Sequence, residues 1–152
     1  MSDDREYPNR PWVGIGVVLF RGDEVLLVQR GKPPRVGSWS LPGGAQHLGE
    51  TTQAAARREL LEETGLQAGP LHLADVIDAV TFDARGKPRY HYTIIDYCAH
   101  WHAGQATPGD DVAAVAWAGP QQLAAYRLTK AALDVIALSR VRLAEAARQV
   151  AT

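Results

Sequence analysis

The stretch GGAQHLGETTQAAARRELLEETGL, running from Gly43 to Leu66, constrains this chain more than any other. Gly43 and Gly44 open a tight turn. Thr51 or Thr52 can cap a helix that runs to about Thr64, and Gly65 sits where a left-handed residue ends a helix. Glu50, Glu59, Glu62 and Glu63 place four carboxylates in this one segment. Glu59, Glu62 and Glu63 stand at i, i+3 and i+4, so they share one helix face. Ala55 and Ala56 lie one turn earlier and are small enough to leave room for a ligand. Leu60 and Leu61 are expected to point elsewhere, toward a core.

Like charges at this spacing destabilise a helix by about 0.2–0.5 kcal/mol per pair. In a partly buried setting a bare pair about 4 Å apart repels by about 4 kcal/mol at an effective dielectric near 20. A divalent cation reverses that sign. Arg58, four residues before Glu62, offers a partial alternative by ion pairing. Taken alone, RRELLEE also suits a solvated helix surface. The flank SWSLPGG favours a site, because glycine lets the backbone approach a ligand closely and aim a carbonyl at a metal.

The rest of the chain fits one domain of 152 residues. Such a chain buries about 68–70% of its unfolded surface and needs no disulfide to hold a core. Cys98 is the only cysteine, which fits a reducing compartment. The net charge of −1 argues against a general nucleic-acid binder. The opening MSDDREYPNRPW has no apolar h-region, and no apolar run is long enough to span a bilayer. A cytoplasmic protein without membrane partners is expected.

Residues 1–11 read as a flexible arm and 12–148 as the domain. Val13–Phe20 and Glu24–Arg30 are expected strands joined by RGDE. Gly31–Gly44 is rich in Gly and Pro and reads as a loop. Further strands are expected over Leu71–Val80, Tyr90–Trp101 and Val112–Ala118, with a hairpin loop over Phe82–Arg89. GPQQLAAY begins a short helix, and Thr129 can cap a final one, KAALDVIALSRVRLAEAARQ. Mixed strands with two long helices indicate an α/β or α+β layered fold. The final helix is free to cover the domain's own sheet or to pack on a second copy as a homodimer.

The spacing from Gly44 to Glu50, to Arg58-Glu59, to Glu62-Glu63, to Gly65-Leu66 resembles the Nudix box, G-x5-E-x7-R-E-U-x-E-E-x-G-U, where U is bulky and apolar. Gly44, Glu50, Arg58, Glu59, Leu60, Glu62, Glu63, Gly65 and Leu66 fill every fixed position. The resemblance is specific over Gly43–Leu66 and diffuse elsewhere. It implies an α/β/α sandwich with a mixed sheet and a loop–helix–loop that binds Mg²⁺, with Mn²⁺ able to substitute. By position, it implies that Glu59, Glu62 and Glu63 are metal-side carboxylates, that Glu50 supports them, and that the Gly43 carbonyl reaches a metal. Arg58 then holds a glutamate in place, and the catalytic set is Glu59, Glu62 and Arg58. Carboxylate and carbonyl oxygens suit hard cations. One cysteine and five dispersed histidines show no zinc-ligand spacing.

The general base is Glu59 in some relatives and an acid on a later loop in others. Here PGDDVAAVAW supplies Asp110 and Asp111, which also suit a solvated turn. Relatives often carry a glutamate nearer the tryptophan, where this chain has Ala114 and Ala116. Arg30, Lys32 and Arg35 can meet phosphates or simply be solvated. Trp39 can stack on a base or anchor its loop against the core. Phe82, Arg89, Tyr90 and Tyr92 can line a nucleoside pocket or pack along a strand. Substrate-side candidates are therefore Arg30, Arg35, Trp39 and Asp111.

The function implied is hydrolysis of a nucleoside diphosphate linked to another moiety, such as ADP-ribose or a nucleotide sugar. The products would be a nucleoside monophosphate and a phosphorylated remainder. ADP-ribose-specific relatives often carry a proline after the box, and Asp78–Asp83 has none. A (d)NTP pyrophosphohydrolase is the enzymatic alternative. A nucleotide-sensing domain without turnover is a further one, though such domains commonly lose box glutamates that this chain keeps.

Overall fold

The computed structural model describes residues 5–33 and 35–151. The chain runs β1 (Trp12–Arg21), β2 (Glu24–Arg30), β3 (Trp39–Ser40), β4 (Gly43–Ala45), α1 (Thr52–Thr64), β5 (Gln67–Ala68), β6 (His72–Phe82), β7 (Pro88–Ala103), β8 (Val112–Ala118), a 3₁₀ turn (Leu123–Tyr126) and α2 (Lys130–Ala151). The expected elements are all present. The loop expected over Gly31–Gly44 instead contributes two short strands, because its glycines let the chain lie flat against β1. Gly43 pairs with Gly16 there, and a side chain on Gly43 would strike the Ile15 carbonyl.

One mixed sheet of eight strands results. β1 lies parallel to β7, from Trp12 beside Tyr92 to Phe20 beside His100. The remaining pairs are antiparallel: β1 with β2 and β4, β2 with β3 and β8, and β7 with β5 and β6. Helices cover both faces, which gives the α/β/α sandwich.

The run VVLF in β1 is buried on both sides, as a strand between two helical layers must be. Val17 and Leu19 turn toward α1 and pack with Leu26, Ala55, Ala56, Leu60, Leu66 and Ala99. Val18 and Phe20 turn toward α2 and pack with Val25, Leu27, Cys98, Val135, Ile136 and Leu143. Period two in the strand thus assigns each side chain to one of two cores. The buried stripe of α2 is Val135, Ile136, Ser139 and Leu143, and it lies on the domain's own sheet. Leu133 and Val141 face outward.

Two details of α1 differ from expectation. Ala55 and Ala56 are fully buried in the core and leave no room for a ligand. Their small size instead lets the helix sit close on the sheet. Leu60 is buried, whereas Leu61 is 52% exposed. The buried stripe of α1 runs through Ala55, Ala56, Glu59 and Leu60, and Leu61, a further 100° around the helix, falls outside it.

Of the expected arm, residues 1–4 lie outside the described residues. Glu6 and Tyr7 touch the β6–β7 hairpin: Tyr7 N–H donates to the Arg89 carbonyl at 2.7 Å, its hydroxyl donates to Asp83 at 2.9 Å, and Arg89 pairs with Glu6 at 2.7 Å. Among the described residues no helix is long and apolar enough to cross a membrane.

Candidate active site

Local sequence sets the frame of the acidic helix. The Thr51 hydroxyl accepts from Ala54 N–H at 3.0 Å, which satisfies one of the free donors of the first turn. Gly65 takes φ 72°, and its N–H closes on the Leu61 carbonyl at 2.9 Å. Thr64 is fully buried and returns its hydroxyl to the Leu60 carbonyl at 2.6 Å.

Within this frame Arg58 is the hub. Its Nε and Nη2 grip Glu50 in a two-pronged pair, at 3.0 and 2.7 Å. Nη1 reaches Glu59 at 2.8 Å and Glu62 at 3.3 Å. Nη2 also donates to the Ala45 carbonyl at 3.1 Å, which ties the helix to the glycine turn. The expected Arg58–Glu62 pair forms, but it is the longest of these contacts. Glu50 accepts further from His47 N–H at 2.8 Å. The Arg58 guanidinium, with the His47 N–H, holds its carboxyl down at about 2.

Glu59 is 8% exposed and lies over Gly44, where a Cβ would collide with its carboxylate. Glycine is therefore required at position 44 for the acid to fit. Glu63 accepts from Gly43 N–H at 2.8 Å. Burial pushes the Glu63 carboxyl up to about 7, against the pull of that N–H, with Glu59, Asp110 and Glu62 adding repulsion. Arg58 thus pairs with Glu50, Glu59 and Glu62, its single charge offsetting one of the three, and among the described residues Glu63 has no ion pair.

The segment after β7 closes over the end of α1. Thr107 N–H donates to the Thr64 carbonyl at 2.9 Å and Gly109 N–H to the Glu63 carbonyl at 3.0 Å. A side chain on Gly109 would strike the Glu62 carbonyl. This crossing brings Asp110, at φ 52°, into the field of Glu63. Asp111 instead pairs with Lys32 at 2.6 Å on the surface, and its carbonyl takes the Gly31 N–H. Of the two acids of that loop, Asp110 is the one coupled to the carboxylates.

The other candidates are more dispersed. Arg30 donates to the Pro33 carbonyl at 3.2 Å, and Arg35 is exposed at φ 59°. Trp39 packs edge-to-face on Tyr126, ring centres 5.0 Å apart, against the α2-side core. Arg89 is engaged with Glu6, and Phe82 is exposed. A surface cavity of about 410 Å³ lies among Tyr7, Asp83, Arg85 and Lys87; no box residue lines it.

The expected metal set of Glu59, Glu62, Glu63, Glu50 and Gly43 is drawn into one neighbourhood, but not into a finished cage. Among the described residues no three acidic, histidine or cysteine side chains converge as a ready metal cluster. The reason is local: both oxygens of Glu50 are held by Arg58, and Glu63 is drawn to the Gly43 N–H. The donors nonetheless suit a hard divalent cation. They are carboxylate oxygens, the half-buried Glu63 has no ion pair among the described residues, and glycine 44 clears the space beside Glu59.

Residues 10–138 match the NUDIX domain. The chain belongs to the Nudix family. It is 48% identical over 58 residues to a putative 8-oxo-dGTP diphosphatase 2 of Mycobacterium tuberculosis, covering 38% of this chain and 41% of that protein. It is 33% identical over 101 residues to an ADP-ribose pyrophosphatase of Methanocaldococcus jannaschii, covering 66% of this chain and 57% of that one. The matched region thus spans about half the length of these curated relatives. The crystal structure of a MutT NUDIX hydrolase from Burkholderia pseudomallei superposes with a TM-score of 0.74 at 29% identity, covering 86% of this chain and 98% of that one.

Proposed function

We propose that this protein is a Mg²⁺-dependent hydrolase of a nucleoside diphosphate linked to another moiety, of the ADP-ribose or nucleotide-sugar type, with Mn²⁺ able to substitute. The observation that carries this is the Arg58-ordered carboxylate cluster beside the Gly43–Gly44 turn, with Glu63 half-buried and, among the described residues, without an ion pair. Glu59, Glu62 and Glu63, with the Gly43 carbonyl, are the residues to hold the ion. Glu50 contributes by fixing Arg58, since both its oxygens are committed there. The bound cation would offset diphosphate charge and acidify a water for attack at phosphorus.

The chain's own groups do the rest. Arg58 fixes the direction of Glu59 and Glu62, so their oxygens need little reorganisation when substrate arrives. Glu63, with its carboxyl raised to about 7, would release its proton to solvent as the site gains positive charge. Asp110, close enough to repel the Glu63 carboxyl, is a candidate for the proton from the attacking water, beside Glu59. Arg30, at the end of β2, and Arg35, in the loop after it, are the side chains assigned to meet phosphate oxygens.

The identity to the M. tuberculosis diphosphatase supports a second assignment, a (d)NTP pyrophosphohydrolase. A panel decides between them. ADP-ribose, nucleotide sugars, dinucleoside polyphosphates and (d)NTPs are incubated with Mg²⁺ and the products separated by chromatography. Selective conversion of a diphosphate-linked substrate to a monophosphate, stopped by EDTA and by Glu63→Gln, is the expected result. Selective release of pyrophosphate from triphosphates would move the assignment to the second activity. No turnover with either metal would sink both.

A further inference from the structure

Residues 104–111 join β7 to β8 and are held at two places. On one side Thr107 and Gly109 donate backbone N–H groups to the last carbonyls of α1. On the other, Asp111 is tied to the segment that follows β2. Its carbonyl accepts from Gly31 N–H at 2.9 Å, and its carboxylate meets the Lys32 ammonium at 2.6 Å. Asp110 is the residue between the two attachments. Val112 N–H closes on the Gly109 carbonyl at 3.1 Å, so Asp110 takes the first inner position of a tight turn, at φ 52°. Backbone of that kind favours glycine, asparagine or aspartate. A residue with a side chain is strained there and persists where its surroundings hold it from both sides.

The β2 side is shaped for this attachment. A register shift between Gln29 and Arg30 alters the pairing of β2 with β8 just before Gly31. Gly31 then lies so close to the loop that a Cβ would stand 3.0 Å from the Asp111 carbonyl and 3.2 Å from Ala113 N. Backbone contact and ion pair converge on one residue, so Lys32 closes a strap that begins at Gly31. The Lys32 side chain is 67% exposed and fills no core. An exposed ion pair alone adds little to stability. This one acts on the residue beside Asp110, and Asp110 is close enough to repel the Glu63 carboxyl.

We propose that Lys32 is a positioning residue for the reaction: through Asp111 it holds the β7–β8 loop so that Asp110 stays beside the carboxylate cluster. This rests on the part given to Asp110 in the proposed function. Lys32 acts through the loop and not on the phosphates, because its ammonium is engaged by Asp111. Without the pair, the Gly31 N–H still holds the Asp111 carbonyl, so the loop loosens rather than leaves. An exposed pair biases such an equilibrium by about two- to fivefold, and that sets the size of the effect.

The test is steady-state kinetics of Lys32→Ala on the substrate that the panel selects, paired with amide hydrogen exchange of the metal-free full chain. The kcat should fall about two- to fivefold with KM nearly unchanged, and Lys32→Arg should keep most of the rate. In an Asp110→Ala background, Lys32→Ala should lower kcat no further, since the side chain it positions is gone. Exchange at the Gly31, Gly109 and Val112 amides should quicken by a similar factor, a readout that needs no turnover. A raised KM at unchanged kcat would place Lys32 on the substrate itself and overturn the proposal. A loss of the same size in the Asp110→Ala background would overturn it too, as would unchanged exchange at all three amides. Quickened exchange with no panel member hydrolysed would sink the hydrolase reading and keep the strap. Hydrolysis with kcat and exchange untouched by Lys32→Ala would do the reverse.

Discussion

The two faces of the sheet treat buried acids in opposite ways. On the α1 face, Glu59 shares the guanidinium of Arg58 with Glu50 and Glu62, and Glu63 holds a backbone N–H. On the α2 face, Asp96 sits over Gly16, and among the described residues the acid Asp75 is the charge that acts on it. The first arrangement is charge organised in advance and short of one cation. The two faces differ in what surrounds the acid: ion pairs and a backbone N–H in one case, glycine and a second acid in the other.

Removing the hub should break the comparison most severely. Arg58→Ala removes the shared ion-pair partner of three carboxylates, one of them buried. Breaking a buried pair by deleting one partner costs about 3–5 kcal/mol. Thermal unfolding should show a loss of that order, and hydrolysis should fall by more than about 100-fold, as for loss of a preorganised electrostatic group. Arg58→Lys should recover part of the stability and little of the rate, since one ammonium cannot span Glu50 and Glu59 as a fork does. A variant that stayed as stable as wild type would show that the hub is ornamental.

The next effect is in pH. Glu63 is raised from 4.5 to about 7, so the folded state holds its proton more tightly than the unfolded state. Stability contributed by that proton is fully present below about pH 4.5 and is lost as pH rises to about 7. The size is on the order of 3 kcal/mol at about 1.4 kcal/mol per pH unit. Glu50 works in the other direction: its carboxyl at about 2 adds stability as pH rises from about 2 to 4.5. Metal-free protein should therefore show maximal melting temperature near pH 4.5–5. Mg²⁺ should raise that temperature more at pH 8 than at pH 5, and Glu63→Gln should flatten the decline above pH 4.5. A melting temperature that rises steadily to pH 8 without metal would contradict this.

Asp96 gives a smaller effect in the same direction. Burial raises its carboxyl from 3.8 to about 6, with Asp75 adding to it. The proton's contribution is present below about pH 3.8 and gone above about 6. Asp96→Asn removes the buried charge and should stabilise the metal-free protein at pH 8 by on the order of 1–2 kcal/mol, read from denaturant midpoints. That sharpens the contrast, because no charge-removing change at Arg58 can stabilise. The gain should vanish near pH 4.

How much of this was legible in the sequence follows from which contacts are local. The cap at Thr51, the helix to Thr64 and the left-handed Gly65 depend on neighbours in sequence, and all appear where expected. The Arg58–Glu62 pair is one helical turn and forms. The stronger grip of Arg58 on Glu50 needs the turn from Ala45 to Glu50 to fold back on the helix, which no periodicity reveals. Asp96 was harder still. In YTIIDYC it looks like one acid in a strand; only the parallel register with β1 puts it over Gly16. Asp110 was visible as a turn acid, but its reach to Glu63 depends on Gly109 crossing the end of α1. Glycines 14, 16 and 109 were the available signals, since each is a place where another group approaches the backbone.

The smallest effect is expected at Leu61, and its measure is the contrast with Leu60, its neighbour in sequence. Leu60 is 1% exposed in the α1-side core and Leu61 is 52% exposed. Leu60→Ala deletes buried methyl groups and leaves a cavity, at a cost of about 2–5 kcal/mol. Leu61→Gln touches no core contact and should change stability by less than about 0.5 kcal/mol. It should also leave the carboxylate network intact, since only the Leu61 backbone carbonyl is used, by Gly65. Chemical denaturation of the two variants checks this directly. Equal losses would mean that α1 is rotated on the sheet by about a residue, which would turn Glu59 away from Gly44 and undo the geometry of the site itself.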